Sequence, residues 1–150
     1  MQKSAKLFSC QVRKSELKFT EETLVHTTSK GVVWMLTRVH GGDAPIWQAV
    51  SRDGGKTWRA RPTEIDARQT PPSGLVKLND GRLVLVYGYR DAPSGIRALV
   101  SEDEGLTWRT DHVLVLRYDG DGFDLGYPRA VKLEDETIVA VYYYATDDRV

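Results

Sequence analysis

Ser51-Arg52-Asp53-Gly54-Gly55-Lys56-Thr57-Trp58 returns fifty positions later as Ser101-Glu102-Asp103-Glu104-Gly105-Leu106-Thr107-Trp108. Serine, aspartate, glycine, threonine and tryptophan recur in register, and self-similarity at such a period is the signature of an array of like units. The surrounding text repeats as well. Val76-Lys77-Leu78-Asn79-Asp80-Gly81-Arg82-Leu83-Val84 is echoed by Val131-Lys132-Leu133-Glu134-Asp135-Glu136-Thr137-Ile138-Val139. Both set β-branched and leucine-rich runs on either side of an Asp-containing polar turn, the pattern of a hairpin. Leu24 to Thr28 and Val32 to Val39 flank Ser29-Lys30-Gly31 in the same way, ahead of the first eight-residue word. No segment sustains the apolar period of a helix, so almost no helix is expected.

Each unit therefore reads as an inner strand, a hairpin to a second, a loop to a third, the Ser-x-Asp turn, and a fourth. Strands are expected near 23–28, 32–39, 46–51 and 57–61, then near 74–78, 82–89, 96–101 and 107–116. A third unit is expected to start near Arg129, and Phe8 to Phe19 could supply an outer strand of a preceding unit. Four strands in about 50 residues is the size of a β-propeller blade. The expected fold is all-β, a single partial propeller domain over 1–150 of four-stranded antiparallel blades, with units at about 20–61, 72–116 and 129–150.

The recurring residue types have a local task. Ser and Asp side chains bond nearby backbone groups and hold a tight turn, which lets Gly55 or Gly105 take a positive φ. Thr57 or Thr107 then starts the outgoing strand, and Trp58 or Trp108 offers a large apolar plate to the same or an adjacent unit. The acids of the word could instead be read as calcium ligands or catalytic carboxylates. A turn staple must recur in every unit, whereas a catalytic acid is needed once, so the structural reading of Asp53 and Asp103 is preferred.

Composition narrows the function classes. Among 150 residues, 21 Lys and Arg balance 21 Asp and Glu, which leaves no net field to hold a nucleic-acid backbone or an anionic membrane. With 41% hydrophobic and 28% charged residues, four Trp and seven Tyr, the chain describes a packed, water-soluble protein. Cys10 is the single cysteine, so no internal disulfide or Cys-based zinc site is expected. No apolar run approaches a membrane span, and Leu7-Phe8 is too short for a signal-peptide core, so the compartment is left open. His26, His40 and His112 lack ligand spacing. The loop Asp119-Gly120-Asp121-Gly122 with Asp124 resembles the start of a calcium loop but lacks its continuation. No cofactor and no metal are expected.

The word Ser-x-Asp-x-Gly-x-Thr-Trp is similar to the Asp-box, or bacterial neuraminidase repeat, of the sialidase superfamily. Both copies match at Ser51, Asp53, Gly55, Thr57 and Trp58 and at Ser101, Asp103, Gly105, Thr107 and Trp108. The tract Asp124-Leu125-Gly126-Tyr127-Pro128-Arg129, followed by a hairpin to Tyr142-Tyr143-Tyr144, also looks like sialidase-type proteins of the BNR group. The resemblance implies a six-bladed β-propeller, with exo-sialidase activity in many members. Six blades need about 240–300 residues, so this chain supplies about 2.5–3 of them. The remaining blades are expected from a longer chain or from a second copy completing the ring.

By strand alternation the Ser-x-Asp turns lie on one face and the second-to-third and fourth-to-first connections on the other. The second face carries Arg38, His40 and Asp43; Arg68 and Gln69; Arg90 and Asp91; Asp119, Asp121, Asp124, Tyr127 and Arg129; and Asp147 and Asp148. The resemblance implies that this face holds the site, with three arginines binding a substrate carboxylate, a Tyr nucleophile assisted by Glu, and an Asp acid/base. Guanidinium forks match a carboxylate bidentately, and a carboxylic acid can protonate a leaving glycosidic oxygen. Arg68, Arg90 and Arg129 are the candidate clamp, and Asp124 and Tyr127 the candidate catalytic groups. The blander reading makes these arginines solvent-facing loop residues or partners of adjacent acids, and makes Tyr142-Tyr143-Tyr144 core and interface packing. The chain departs from the sialidase pattern in lacking an Arg-Ile-Pro tract and an evident Tyr/Glu pair. The expected function is a sialidase-like propeller segment for terminal sialic acid or a related sugar, inactive alone. The alternative is a non-catalytic Asp-box propeller that binds carbohydrate or protein.

Overall fold

A computed structural model of the chain describes residues 20–39, 45–67 and 70–146. The expected outer strand at Phe8 to Phe19 lies outside them. Ten strands are present among the described residues: β1 (Thr20–Thr27), β2 (Val33–Val39), β3 (Trp47–Ser51), β4 (Arg59–Pro62), β5 (Pro72–Lys77), β6 (Leu83–Tyr89), β7 (Gly95–Ser101), β8 (Leu114–Arg117), β9 (Leu125–Lys132) and β10 (Ile138–Tyr144). There is no helix among these residues. The strands form three antiparallel sheets in chain order, β1-β2-β3-β4, β5-β6-β7-β8 and β9-β10.

Consecutive pairing follows from short polar turns between apolar runs. In the hairpin over Asn79 to Gly81, Leu78 N–H donates to Arg82 O and Gly81 N–H to Leu78 O. The echoed hairpin repeats this, with Leu133 N–H donating to Thr137 O and Glu136 N–H to Leu133 O.

β6 explains why the second sheet sits in the middle. Its sequence Leu83-Val84-Leu85-Val86-Tyr87 is apolar at every position, so both faces of the strand must be covered. Leu83, Leu85 and Tyr87 join Trp34, Leu36, Ile46, Ile65, Leu99 and Trp108 in one core against the first sheet. Val84 and Val86 join Ile96, Ala98 and Leu125 in a second core, closed by Ile138, Ala140, Tyr142 and Tyr144 of the third sheet. Truncating a buried leucine such as Leu85 to alanine should cost about 2–5 kcal/mol. The initial strands gather: β5 packs beside β1 on one side and β9 on the other.

At the Ser-x-Asp end the turns of neighbouring sheets are bonded together. Ser29 donates its backbone N–H and hydroxyl to the Glu104 carboxylate, at 3.0 and 2.8 Å to Oε2, and Lys77 Nζ lies 3.0 Å from Oε1. Trp34 Nε1 donates to Glu104 O at 2.7 Å, and the buried Gln48 amide donates to Gly105 O at 2.6 Å. A Cβ at position 105, where φ is +89°, would also overlap the Trp34 ring, so glycine is required there twice over.

Two boundaries differ from expectation. β8 begins at Leu114 instead of near 107. Arg109 pairs with Asp111, His112 N–H donates to Arg109 O, and these polar contacts hold residues 109–112 in a turn before the strand can start. β9 begins at Leu125, ahead of the expected start near Arg129. Gly126 permits the early start: its φ is +127°, and a Cβ there would press Thr70 Cγ2 at 3.2 Å.

Candidate functional site

The two Ser-x-Asp words form the same staple. Ser51 Oγ donates to Asp53 Oδ1 at 2.8 Å and accepts from Gly55 N–H at 2.8 Å. Asp53 also accepts from Thr57 N–H at 2.9 Å and Thr57 Oγ1 at 2.6 Å. In the second word the matching distances are 2.9, 2.7, 2.8 and 2.7 Å. The Thr57 hydroxyl, with further bonds from Thr57 and Lys56 N–H and Ser51, holds the Asp53 carboxyl well below the usual carboxylate range. Burial pushes Asp103 the other way, but bonds from Thr107 and Ser101 outweigh it and its pKa is still lowered. These acids stay ionised and are spent on the turn.

The opposite end is different in kind. Gly126, at φ 127°, and Tyr127, at φ 48°, break the β9-β10 register between Val141 and Tyr143. A tyrosine in the left-handed region is uncommon, and a bulge re-aims the side chains around it. Tyr127 and Tyr143 stack at 5.8 Å between ring centroids, with planes 23° apart. Tyr143 Oη donates to Asp124 Oδ1 at 2.8 Å. Burial, then the bond to Asp124, push the Tyr143 phenol up, while the Arg90 charge pulls the other way. Arg90 reaches over from the β6–β7 connection. Its Nε and Nη2 donate to Leu125 O at 3.3 and 3.2 Å, and its guanidinium lies 4.3 Å from the Phe123 ring centre and 6.0 Å from that of Tyr127.

Arg90, Asp124 and Tyr127 are thus brought into one cluster. Arg129 sits on the side of Tyr127 nearer the initial strands, where its Nη1 donates to Ser73 O at 3.2 Å. Together Tyr127, Arg129, Ser73 and Thr23 border a small cavity of about 190 Å³ among the starts of β1, β5 and β9. Arg68, Gln69, His40, Asp43, Asp147 and Asp148 lie outside the described residues. Asp119 is held by Arg117 at 2.8 Å and accepts from Tyr144 Oη at 3.1 Å, and the Arg117 bond lowers its pKa. With Asp124 bonded to Tyr143, two carboxylates of the glycine-rich loop are committed to protein partners. Among the described residues no cluster of three or more His, Cys, Asp or Glu side chains suits a metal.

The residue that sequence reasoning missed is Tyr143. Read as packing with its neighbours, it instead points away from the core that takes Tyr142 and Tyr144, and it is 42% exposed. Strand alternation already separates it from those two, but its partner Asp124 is set by the register break, which no local pattern announces.

Residues 13–141 match the family described as the BNR repeat-like domain. The chain belongs to this BNR repeat-like family. Its two Asp-boxes and the echoed hairpins lie within the matched stretch. Among solved structures, the BNR repeat-like chain is similar to a protein of unknown function from Dyadobacter fermentans DSM 18053, with 36% identity and a TM-score of 0.77. The match covers 86% of this chain and 35% of that one, so the chain spans about a third of the similar protein. No curated protein matches it.

Proposed function

We propose that this chain is part of a six-bladed β-propeller, contributing two four-stranded blades and the first hairpin of a third, and that the face around Tyr127 and Tyr143 binds a terminal acidic sugar such as sialic acid. The remaining blades come from a longer chain or from a second copy. The repeated meander and the adjacency of β1, β5 and β9 support the radial arrangement. The stacked Tyr127 and Tyr143 rings, with Asp124 bonded to one phenol and Arg90 beside them, carry the sugar reading. Aromatic faces cover the C–H side of a sugar ring, a carboxylate takes its hydroxyl protons, and guanidinium groups match a carboxylate substituent.

Hydrolysis is the second reading, and one observation favours it. A phenol donating to a carboxylate at 2.8 Å has the geometry of a nucleophile with its base. Burial, then the Asp124 carboxylate, raise the Tyr143 pKa, so the phenol rests as a neutral donor to Asp124. Arg68, Arg90 and Arg129 are then the candidate clamp, and Asp124 passes from the expected acid to the base of Tyr143.

Equilibrium binding of sialyllactose and release of product from a fluorogenic sialoside test the two readings together. Binding weakened at least about tenfold by Arg129→Ala or Tyr127→Ala is expected. Turnover abolished by Tyr143→Phe would establish the hydrolase. Neither binding nor turnover by folded protein that carries the remaining blades would overturn both.

A further inference from the structure

The first Asp-box differs from the second in charge. Residues 52–61 hold Arg52, Lys56, Arg59 and Arg61 against the lone acid Asp53. That carboxylate is turned into its own staple. Val50 pairs with Arg59 and Gln48 with Arg61 across β3 and β4, so the two arginines share one sheet face at alternate positions. That face looks toward the second box.

Between them runs a groove of about 520 Å³, bordered by Arg52, Arg59, Arg61, Val50, Leu106 and the Thr57 and Thr107 hydroxyls. No acidic side chain of the described residues borders it. Arg61 is anchored, with Nη2 donating to Leu106 O at 2.9 Å. The Arg52 and Arg59 side chains are exposed and make no hydrogen bond or ion pair among the described residues. Glu102, Asp103 and Glu104 flank Arg52 on its far side, but they are engaged by Arg109, by Ser101 and Thr107, and by Ser29 and Lys77 respectively. In a chain of zero net charge this is a local concentration of guanidinium groups with no acid of the described residues in the groove itself.

We propose that this groove is a second binding site, for an acidic oligosaccharide whose carboxylate or sulfate groups are held by Arg52, Arg59 and Arg61. The volume is that of a small-ligand site. Guanidinium forks suit either oxyanion. Val50 and Leu106 give an apolar floor for the C–H faces of sugar rings. Thr57 and Thr107 donate their hydroxyl protons to Asp53 and Asp103, which leaves lone pairs to accept from sugar hydroxyls. Among the described residues no aromatic ring borders the groove for a nucleic-acid base to stack on, and an acidic peptide offers carboxylates without the C–H ring faces that suit Val50 and Leu106. The N-terminal stretch of this chain does not match the groove in charge. Lys3, Lys6, Arg13, Lys14 and Lys18 stand there against Glu16.

The site lies at the Asp-box end, away from Tyr127 and Tyr143, so the two proposals fail separately. Fluorescence anisotropy of the full chain would be read with labelled heparin-derived and oligogalacturonate hexasaccharides, which separate sulfate from carboxylate. Neutral dextran, hexaglutamate and single-stranded DNA are the controls. Binding of at least one acidic saccharide is expected, weakened at least about tenfold by Arg52→Ala/Arg59→Ala and left unchanged by Arg109→Ala. Retained affinity in the double variant would overturn the proposal. So would equal loss in Arg109→Ala, or hexaglutamate or DNA binding as tightly as the saccharides. Absence of binding by both acidic saccharides would also contradict it.

Discussion

In both eight-residue turns the serine hydroxyl donates to the aspartate and accepts from the glycine amide, at distances that agree within 0.1 Å. Around that shared staple almost everything else differs. Trp58 is half-buried and donates Nε1 to Gly55 O of its own turn at 3.0 Å. Trp108 is 4% exposed and meets Trp34 of the neighbouring sheet edge to face, with centroids 6.3 Å apart. Gly54 stands where the second word has Glu104, the carboxylate that ties Ser29 and Lys77 together. Arg52 stands where the second word has Glu102. A local word therefore specifies a turn, while the sheet next to it decides whether its outward side chains pack, bridge or stay in solvent.

That contrast can be broken most forcefully at the tryptophans. Trp108→Ala should cost about 3–5 kcal/mol by removing a buried ring from the first core. Trp58→Ala should cost about 1–2 kcal/mol, since part of its ring stays in water. Denaturant unfolding of both variants measures the gap, and equal losses would show that the two rings are packed alike. The glycines come next. Alanine at 55 meets only the left-handed backbone cost, about 1–2 kcal/mol. Alanine at 105 must also displace Trp34, and about 2–4 kcal/mol is expected.

Acid should separate the words through Glu104. Hydrogen bonds from the Ser29 hydroxyl, then from Lys77, bring its pKa from 4.5 to about 2. The folded state therefore binds this proton less readily than the unfolded one. The stabilisation is full above pH 4.5 and is lost as pH falls toward 2. Thermal midpoints of the wild type and Glu104→Gln should differ at pH 6 and converge near pH 2. A constant difference across that window would remove the charge from the explanation. The smallest effect belongs to Arg52→Ala, expected within about 0.5 kcal/mol because its guanidinium has no described partner.

Much of the fold is legible because its determinants are local. The two words announce their turns, and β6 announces burial on both faces through five consecutive apolar residues, Leu83 to Tyr87. β10 has almost the same composition, yet Ile138, Ala140, Tyr142 and Tyr144 are packed while Val139, Val141 and Tyr143 are exposed. Composition cannot tell a strand between two sheets from a strand beside one. β8 misled for a local reason, since Thr107 and Trp108 favour a strand but the Arg109 and Asp111 pair continues the turn. The candidate site is less readable. Arg90, Asp124 and Tyr127 follow from strand alternation, which says that they share an end. Their partner Tyr143 depends on a bulge whose only trace in the sequence is Gly126.

Saturation-transfer NMR with the full chain and a sialoside tests the proposed sugar-binding face most directly. Transfer to the sugar ring protons is expected with the wild type and should vanish in Tyr127→Ala and Tyr143→Ala variants that remain folded. Transfer of undiminished strength in both folded variants, or none with the wild type, would contradict it.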